Sequence, residues 1–448
     1  MVRKRFDLNI KRKISPFNKI ILVDPDKSIS IRSFLIGAIS QNLSIANNVL
    51  ESEDVLSTIN CLKKLGIKIK KLKSKKYIIH GKGLGCLHLK KNDKLYFGNS
   101  GTLARLLIGI LSTTPGIETN VSGDKSLNKR SMKSLINLME RFGAYFLPKN
   151  KFNFPLKLIS SSFPVGINYE AGISAQLKSA VMLAGLNSFG NTTITENQKS
   201  RDHTENIFIS NPHVIKIKKK PKKIITVFGK KNLNSINIEV PNDPSSAAFF
   251  AALTILNKDS SLIIKNIGLN KTRTGFYQIL KKQKAKLKFK NLRKTNNELR
   301  GDLFVQSCKL KPLLASKDYY VSMTDEYPIL FIMAALTKGI SIFKGISDLA
   351  NKESNRIKEM QKILRQINIK SKISNGALKI YGLGMIDASN KTIHVANLGD
   401  HRICMSAFIL AVLTGAKTKI KNFETVFTSS PSFLKIMKTL GAKFEIQK

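Results

Sequence analysis

The most regular feature of the sequence is a short polar cluster followed by a run of apolar and small residues, which occurs six times. Such a run has no polar face, and this predicts an α-helix that is buried on all sides. The six copies begin at residues 27, 99, 174, 243, 325 and 400, so successive copies are 72, 75, 69, 82 and 75 residues apart. This period indicates a chain built from six similar units.

A second, amphipathic helix recurs with nearly the same period, and two short strands follow it. The pattern is clearest at residues 62–69, 138–145, 364–370 and 437–444. Gly66, Gly143 and Gly441 suit the ends of these helices because glycine adopts positive φ at no steric cost. The copy around residues 206–229 is degenerate, since its helix is short and Pro212 interrupts it.

These elements predict an α/β protein of two domains, each made of three βαβαββ-type repeats. Three buried helices would occupy the centre of each domain, with the sheets outside them. The layering is that of an inverted α/β barrel, opposite to a TIM barrel, whose strands lie inside.

Composition adds a strong positive charge, because 76 Lys and Arg against 29 Asp and Glu leave +47 over 448 residues. A nucleic-acid-binding surface would concentrate charge on one face with interleaved aromatic residues. Here the lysines are spread along the chain, and the densest run, residues 216–223, is expected to be a solvated turn between two strands. The charge still raises the local concentration of anionic small molecules.

No segment of the sequence predicts a membrane span or a secretory signal. The apolar runs fall well short of the ~20 residues that cross a bilayer, and the basic start lacks the apolar segment of a signal peptide. Cys61, Cys86, Cys308 and Cys404 show no paired spacing of the kind found in metal sites or disulfide frameworks. A reducing cytoplasm is the expected location.

The beginnings of the predicted buried helices hold most of the candidate chemistry. A helix N-terminus carries about half a positive charge and unpaired N–H groups, and therefore attracts anions. The polar side chains at these positions are Lys27, Ser28, Arg32, Asn99, Thr102, Ser174, Gln176, Asp325, His401 and Arg402. They suit phosphate and carboxylate ligands. The alternative, that the Ser, Asn and Asp residues are ordinary caps, explains one helix start better than several with cations nearby.

Two charged clusters lie outside those helix starts. Lys352 and Arg356 would place two cations on one helical face beside Glu353, although a solvated i,i+4 pattern explains them equally well. Residues 201–205 put Arg201 near acidic residues at a helix start. The glycines of residues 81–85 close a strand pair and open no helix, so they do not form a dinucleotide-binding loop.

Seven motifs, in order along the chain, resemble those of the 5-enolpyruvylshikimate-3-phosphate synthase family of aromatic amino-acid biosynthesis. They are residues 26–33, 98–102, 129–130, 174–180, 325–328, 352–356 and 400–402. The similarity extends from about residue 20 to the C-terminus. Residues 200–205 resemble a bacterial subgroup of the family.

The resemblance implies two domains of three repeats joined by two crossovers. Residues 25–243 would form the domain that carries most of the residues binding shikimate 3-phosphate. A discontinuous domain of residues 1–24 and 244–448 would carry the acid/base residues and those on the phosphoenolpyruvate side. The implied reaction moves the enolpyruvyl group of phosphoenolpyruvate to the 5-hydroxyl of shikimate 3-phosphate through a tetrahedral ketal, releasing phosphate. Neither a metal nor an organic cofactor is implied. We expect a monomer with no nucleic-acid or membrane partner.

Individual roles follow from the same resemblance. Shikimate 3-phosphate would be bound by Lys27, Ser28, Arg32, Ser174, Ala175, Gln176, Arg201, Asp325 and Lys352. Phosphoenolpyruvate would be bound by Lys27, Asn99, Gly101, Arg130, Gln176, Arg356 and Arg402. Asp325 would accept the proton of the attacking hydroxyl, while Glu353 and Lys27 would deliver and later remove a proton at the methylene carbon.

Several positions depart from the family pattern. Asp24-Pro25 replaces Pro-Gly, Ser131 replaces Pro, Ala350-Asn351 replaces Arg-Val, Asn355 replaces Asp, and Thr428 stands where many members have Lys. These changes put loop geometry and efficiency in question more than identity. Gly101 is the small residue of glyphosate-sensitive members, which implies inhibition by glyphosate in competition with phosphoenolpyruvate.

Two alternatives stay open. The related UDP-N-acetylglucosamine enolpyruvyl transferases use a mobile-loop cysteine, but residues 113–129 contain none, and Lys27-Ser28 differs from their Lys-Asn pair. The other alternative is a basic nucleic-acid-binding or RNA-end-processing protein. Its binding to RNA would weaken steeply with salt in a filter assay.

Overall fold

The computed structural model describes residues 5–90, 92–219 and 221–447, and within them the chain forms thirteen α-helices and twenty-four β-strands. The helices are α1 Lys27–Ile39, α2 Glu53–Lys64, α3 Gly101–Ser112, α4 Lys125–Asn128, α5 Lys133–Glu140, α6 Ala175–Leu186, α7 His203–Phe208, α8 Pro244–Leu256, α9 Gly275–Lys282, α10 Tyr327–Ala335, α11 Arg356–Arg365, α12 His401–Thr414 and α13 Phe433–Thr439. The strands are β1 Asp7–Ile10, β2 Asn18–Ile21, β3 Gln41–Asn47, β4 Ile69–Lys73, β5 Lys76–Lys82, β6 Lys94–Tyr96, β7 Glu118–Ser122, β8 Tyr145–Leu147, β9 Leu156–Ile159, β10 Asn168–Ala171, β11 Asn191–Glu196, β12 Ile215–Lys218, β13 Lys223–Phe228, β14 Asn237–Glu239, β15 Ser261–Gly268, β16 Leu287–Thr295, β17 Glu298–Gln306, β18 Leu314–Ala315, β19 Gly339–Lys344, β20 Ser371–Ser374, β21 Ala377–Gly382, β22 Thr392–Val395, β23 Lys417–Ile420 and β24 Phe444–Gln447.

The strands of the described residues form six four-stranded sheets with one common plan. The sheet of order β6-β7-β9-β8 shows it: β6 and β7 are parallel, and β9 is antiparallel to both β7 and β8. In chain order this repeat reads β6, α3, β7, α5, β8, β9, with the short α4 inserted before α5. This is the predicted βαβαββ unit.

Three of the six sheets borrow a strand from elsewhere in the chain, which the sequence did not predict. β2 precedes α1 but pairs in parallel with β15, whereas β14 precedes α8 but pairs in parallel with β3. β1, near the N-terminus, lies between β23 and β24. A short strand pairs with a sheet edge that offers partners for its backbone hydrogen bonds, and spacing along the sequence does not specify which edge that is.

The chain divides into two compact units, described here as unit 1 and unit 2. Unit 2 comprises Pro25–Val240 and Lys294–Glu298, and unit 1 comprises the residues up to Asp24, Pro241–Arg293 and the chain from Leu299 onward. Residues 1–4 and Lys448, at the ends of the expected discontinuous domain, lie outside the described residues.

The expected boundary after Asp243 falls after Val240 instead, because Asp243 is bound within unit 1. Its backbone N–H donates to the carbonyl of Asp24 at 2.8 Å, and its carboxylate pairs with Arg273 at 3.0 Å. Asp24, one of the departures from the family pattern, is buried and anchored in turn. Its carboxylate accepts hydrogen bonds from Ser430 and Ser432 at 2.6–3.1 Å.

The chain also passes between the units more often than the two crossovers expected. The tip of the β16–β17 hairpin, Lys294–Glu298, belongs to unit 2. There the Glu298 carboxylate lies 2.7 Å from Nδ1 of His203 and accepts a hydrogen bond from Asn206 at 3.0 Å. These contacts join positions far apart in sequence, so no local pattern predicts them.

The run of lysines at residues 216–223 is only partly a turn. It begins inside β12 and ends at the first residue of β13, and Lys220 lies outside the described residues. In β12 the isoleucines at 215 and 217 are less exposed than the lysines that alternate with them. This period of two is typical of a strand with one solvated face.

The six predicted helices are buried almost throughout. Every residue of α8, α10 and α12 is buried. In α1, α3 and α6 the less buried residues all lie within the first five positions, and they are Lys27, Ser28, Arg105, Ala175, Gln176 and Leu177. Helices α8, α10 and α12 pack against one another in unit 1, and α3 packs against α1 and α6 in unit 2. Within the described ranges, no helix has the length and apolarity to cross a membrane.

Glycines near the strand ends allow the sheets to meet the buried helices closely. A Cβ atom at Gly81, Gly229 or Gly382 would fall inside the van der Waals radius of carbonyl oxygens in or just past the last turns of α1, α6 and α10. For Gly382 those oxygens belong to Ala334 and Thr337. Because the obstacle is backbone, it cannot rotate away.

We expect Gly382→Ala to destabilise the protein by about 1–3 kcal/mol or more, since sheet and helix must separate to admit the methyl group. The matched control is Gly268→Ala in the same unit, where a Cβ would meet Pro241 at an ordinary 3.4 Å. Urea unfolding followed by circular dichroism measures both. Equal midpoints for the two variants would contradict the close-approach interpretation.

Candidate functional site

Three helix starts in unit 2 bring most of the predicted anion-binding residues onto ordered backbone. Asp26, Ser100 and Ser174 cap α1, α3 and α6, and each accepts a hydrogen bond from the N–H three residues later. The alternative that Ser174 is an ordinary helix cap is therefore correct for its hydroxyl oxygen, which accepts the Leu177 N–H. A serine hydroxyl that accepts one hydrogen bond can still donate another to a ligand.

Lys27, at the first position of α1, is oriented by a residue that the sequence did not indicate. Its Nζ lies 3.0 Å from the Asp54 carboxylate on α2, and the Asp54 side chain is buried. Lys27 itself is only partly buried, with 20% of its side chain exposed. The amine is thus held in place while part of it stays accessible.

The start of α3 gathers four of the predicted phosphoenolpyruvate residues into one cluster. Arg130 donates to the Asn99 side chain at 2.8 Å, and a Cβ built on Gly101 would lie 3.2 Å from the Arg130 guanidinium. Gln176 reaches across from α6 and donates to the Thr102 hydroxyl at 3.0 Å. Asn99, Gly101, Arg130 and Gln176, which the resemblance assigned to phosphoenolpyruvate, therefore lie together.

Arg105 completes this cluster and was missed at the sequence level. Its guanidinium donates to the Gln176 side chain at 2.9 Å and to the Gly101 carbonyl at 3.2 Å. It is hidden in sequence because it lies inside an apolar run. The signal that could have found it is its position one turn after Gly101, on the same face of α3.

Arg32 and Arg201 differ in how deeply they are buried in unit 2. Arg32 is buried, and its three guanidinium nitrogens donate to Thr204, Ser179 and the Ser28 carbonyl at 2.9–3.1 Å. Arg201 is partly buried in the segment that leads from β11 to α7. Arg32 thus ties three helices together, which the sequence did not predict.

In unit 1, α12 places a buried arginine at its N-terminus. The Asp400 side chain caps the helix by accepting the Arg402 N–H at 3.0 Å. The Arg402 guanidinium lies 5.8 Å from the ring centre of Phe249, a cation–π distance. Among the residues that the structure describes, none accepts a hydrogen bond from its buried Nε or Nη1. An anion would satisfy these donors.

Arg356, at the start of α11, binds three carboxylates at once. Its Nε lies 3.0 Å from the Asp400 carboxylate, its Nη2 2.6 Å from that of Glu353 and its Nη1 3.6 Å from that of Asp325. Burial opposes its charge, but these carboxylates outweigh that effect and raise the pKa of Arg356 above its usual range. The two predicted acid/base residues, Asp325 and Glu353, therefore share one permanent cation.

The predicted helical pairing of Lys352 with Arg356 is wrong. Lys352 follows a 3₁₀ turn, Ser347–Asn351, and α11 begins only at Arg356. The reason is a cap, because Asn355 accepts the Lys358 N–H at 3.1 Å and starts the helix there. Lys352 turns instead to Asp348 at 2.5 Å, which also accepts the Tyr320 hydroxyl at 2.6 Å.

Within the described ranges, no group of three or more His, Cys, Asp or Glu side chains is arranged to hold a metal ion. The site offers cations, amides and hydroxyls around the starts of buried helices, and three carboxylates beside Arg356 in unit 1. Such sets suit small, highly charged anions and proton transfer.

Comparison with known proteins gives one consistent family. The model of the family described as EPSP synthase (3-phosphoshikimate 1-carboxyvinyltransferase) matches residues 11–437. The 3-phosphoshikimate 1-carboxyvinyltransferase of Thermodesulfovibrio yellowstonii is 38% identical over 434 residues, which is 96% of this chain and 99% of that protein. Its counterpart from Paramagnetospirillum magneticum is 35% identical over 435 residues, with 96% and 97% covered.

Solved structures agree with the sequence relatives. The EPSP synthase of Acinetobacter baumannii superposes with a TM-score of 0.85 at 32% identity, over 99% of this chain and 100% of that one. The enolpyruvyl transferase NikO of Streptomyces tendae gives a TM-score of 0.78 at 12% identity, with 99% of each chain covered, and so supports the fold alone. Together they confirm the predicted fold class.

Proposed function

The chain belongs to the EPSP synthase family of 3-phosphoshikimate 1-carboxyvinyltransferases, and we propose how its residues divide the reaction of that family between them. It transfers the enolpyruvyl group of phosphoenolpyruvate to shikimate 3-phosphate in aromatic amino-acid biosynthesis. The single observation that best supports the assignment of roles is the buried Arg402 guanidinium, two of whose nitrogens find no acceptor among the described residues.

Arg402 binds the carboxylate of phosphoenolpyruvate. A buried guanidinium gains most from an acceptor that offers two oxygens, since its donors form a planar fork. Arg356 shares this role through Nη1, which makes no hydrogen bond within the described part of the chain. Its Nε and Nη2 already hold Asp400 and Glu353, so Arg356 is the weaker of the two clamps.

The phosphate of phosphoenolpyruvate binds at the start of α3. Arg130 and Lys27 supply positive charge, Asn99 and Gln176 supply amide groups, and Gly101 leaves room for the ligand beside the helix. Arg105 keeps the Gln176 amide oriented. The helix N-terminus adds its own preference for anions.

Shikimate 3-phosphate is bound mainly by unit 2. Ser174, Ala175 and Arg201 hold the 3-phosphate, Ser28 and Arg32 hold the carboxylate, and Gln176 lies beside the ring. Ser174 can serve because its hydroxyl still donates while it caps α6. Asp325 and Lys352 are the remaining residues that we assign to this substrate.

Asp325 accepts the proton of the 5-hydroxyl as its oxygen attacks C2 of phosphoenolpyruvate, while the methylene carbon takes a proton from Glu353, assisted by Lys27. Phosphate leaves the tetrahedral ketal, and Glu353 removes a proton from the new methyl group.

We propose that the enzyme acts as a cytoplasmic monomer on its two small substrates. The four free cysteines support a reducing compartment.

The function predicts phosphate release only when both substrates are present. Replacing shikimate 3-phosphate by UDP-N-acetylglucosamine should abolish release, which separates the two enolpyruvyl transferases. In Arg402→Gln the KM for phosphoenolpyruvate should rise about tenfold to 100-fold, because charge-assisted hydrogen bonds are lost.

The matched control for Arg402→Gln is Arg365→Gln, which removes an exposed arginine of the same unit. It should leave both KM values unchanged. An Arg402→Gln enzyme with an unchanged KM for phosphoenolpyruvate would remove the main support for the assignment.

The acid/base roles predict that Asp325→Ala and Glu353→Gln each lower kcat by ~10²–10⁴-fold. Binding of shikimate 3-phosphate, measured by calorimetry, should stay largely intact because the phosphate is held elsewhere. Near-normal turnover in either variant would refute its assigned role.

Gly101→Ala should weaken the binding of phosphoenolpyruvate by about tenfold and the binding of glyphosate by more, because the new methyl group meets groups that orient the ligand. Its Cβ would lie 2.7 Å from the Arg105 guanidinium and 3.2 Å from that of Arg130, and a displaced Arg105 releases Gln176. Gly172→Ala is the control, since nothing lies within 4 Å of its Cβ. Inhibition kinetics against phosphoenolpyruvate measure both, and equal effects would contradict this explanation.

A further inference from the structure

Helix α6 carries a lysine in the middle of its buried surface. The Lys178 side chain is 0% exposed, although the run around it is apolar. Its amine lies 2.6 Å from the Glu196 carboxylate and 2.6 Å from that of Glu205. A lysine amine has three donors and no acceptor, so it joins several carboxylates that would otherwise repel each other.

Lys223 closes the cluster from β13, with its amine 2.8 Å from Glu196 and 3.3 Å from Glu205. Two cations and two carboxylates cancel in charge. A buried ion cluster of this kind usually adds little stability over well-packed apolar residues, and its best-attested use is to specify one arrangement. The relevant property of this cluster is therefore which segments of the chain it holds together.

The two carboxylates flank the segment that holds Arg201. Glu196 is the last residue of β11, and Glu205 lies in the first turn of α7. The Glu196 carboxylate also accepts the Ser200 backbone N–H at 3.0 Å and its hydroxyl at 2.8 Å. Arg201 thus follows directly on a residue fixed to this cluster.

The other end of the link is the start of α6. Lys178 lies one turn after Ser174, the cap that begins the helix. The next residue repeats the connection, since the Ser179 hydroxyl lies 2.8 Å from that of Thr204 on α7. The start of α6 and the Arg201 segment are therefore held together at adjacent positions on each side.

We propose that Lys178 is a positioning residue that fixes Arg201 relative to the start of α6, so that both grip the 3-phosphate of shikimate 3-phosphate. This rests on the proposed function, in which Arg201 and Ser174 bind that phosphate. Lys178 itself does not touch the substrate, since its side chain is 0% exposed and its amine faces the two carboxylates.

The Glu196 carboxylate of this cluster is ionised at neutral pH. Burial opposes its ionisation, but Lys178 and Lys223 outweigh burial and lower the pKa of Glu196 to about 2.

The test compares Lys178→Met with the neutral double variant Lys178→Met/Glu205→Gln, which removes the link without leaving an extra buried charge. In both, the KM for shikimate 3-phosphate should rise by about tenfold or more, because misplacing a binding group costs that much. The KM for phosphoenolpyruvate and kcat should change little. Lys216→Met, an exposed lysine of the same unit, is the control.

A coupling measurement separates positioning from general damage. Arg201→Gln should itself raise the KM for shikimate 3-phosphate, and adding Lys178→Met to it should raise the KM no further, because the group being positioned is gone. A merely structural role would lower the thermal midpoint and affect both substrates alike.

Two results would overturn the proposal in different ways. If Arg201→Gln leaves the KM unchanged, the assigned role of Arg201 fails and this inference fails with it, while the Arg402 assignment still stands. If Arg201→Gln raises the KM but the folded neutral double variant keeps a normal one, the proposed function survives and the positioning role of Lys178 is wrong.

Discussion

The structure depends on helices that are surrounded by apolar side chains along their length. A helix of this kind can meet a ligand only at its end, where backbone N–H groups lack partners. In α1, α3 and α6 the residues that are less than fully buried all lie in the first five positions. Burial of the sides and availability of the ends are thus one constraint, and it decides where polar chemistry can be placed.

Around those ends, a second layer of charged and amide groups restrains the residues assigned to the substrates. Asp54 restrains Lys27, Arg105 restrains Gln176, and Asp400 restrains Arg356. Each restraint reduces the freedom that a long side chain would lose on binding a ligand, and so reduces the entropic cost of binding. The layer also limits roles, since Arg32 and Arg356 have most of their donors engaged before any substrate arrives.

The sequence predicted the six buried helices because local apolar runs carry that information, and the resemblance to the family assigned Asn99, Gly101, Arg130 and Gln176 to one substrate. It did not predict Lys178 as a partner of Glu196 and Glu205, since an apolar run conceals a single lysine and its partners lie on other elements. The expected helical face shared by Lys352 and Arg356 was wrong, because the Asn355 cap begins the helix later than the spacing suggested. The exchange of β2 and β14 was also not predicted, since pairing between distant strands leaves no periodic signal.

That exchange bears on how the chain reaches its native state during synthesis. Unit 2 is nearly all encoded in one continuous stretch, Pro25–Val240, and can assemble while the ribosome is still working. β1 and β2 are translated before their sheet partners β15, β23 and β24, from which they are far apart in sequence. Both strands therefore lack partners for their backbone hydrogen bonds until those later segments have been made. Unit 1 is complete only after its last strand, β24, has been translated.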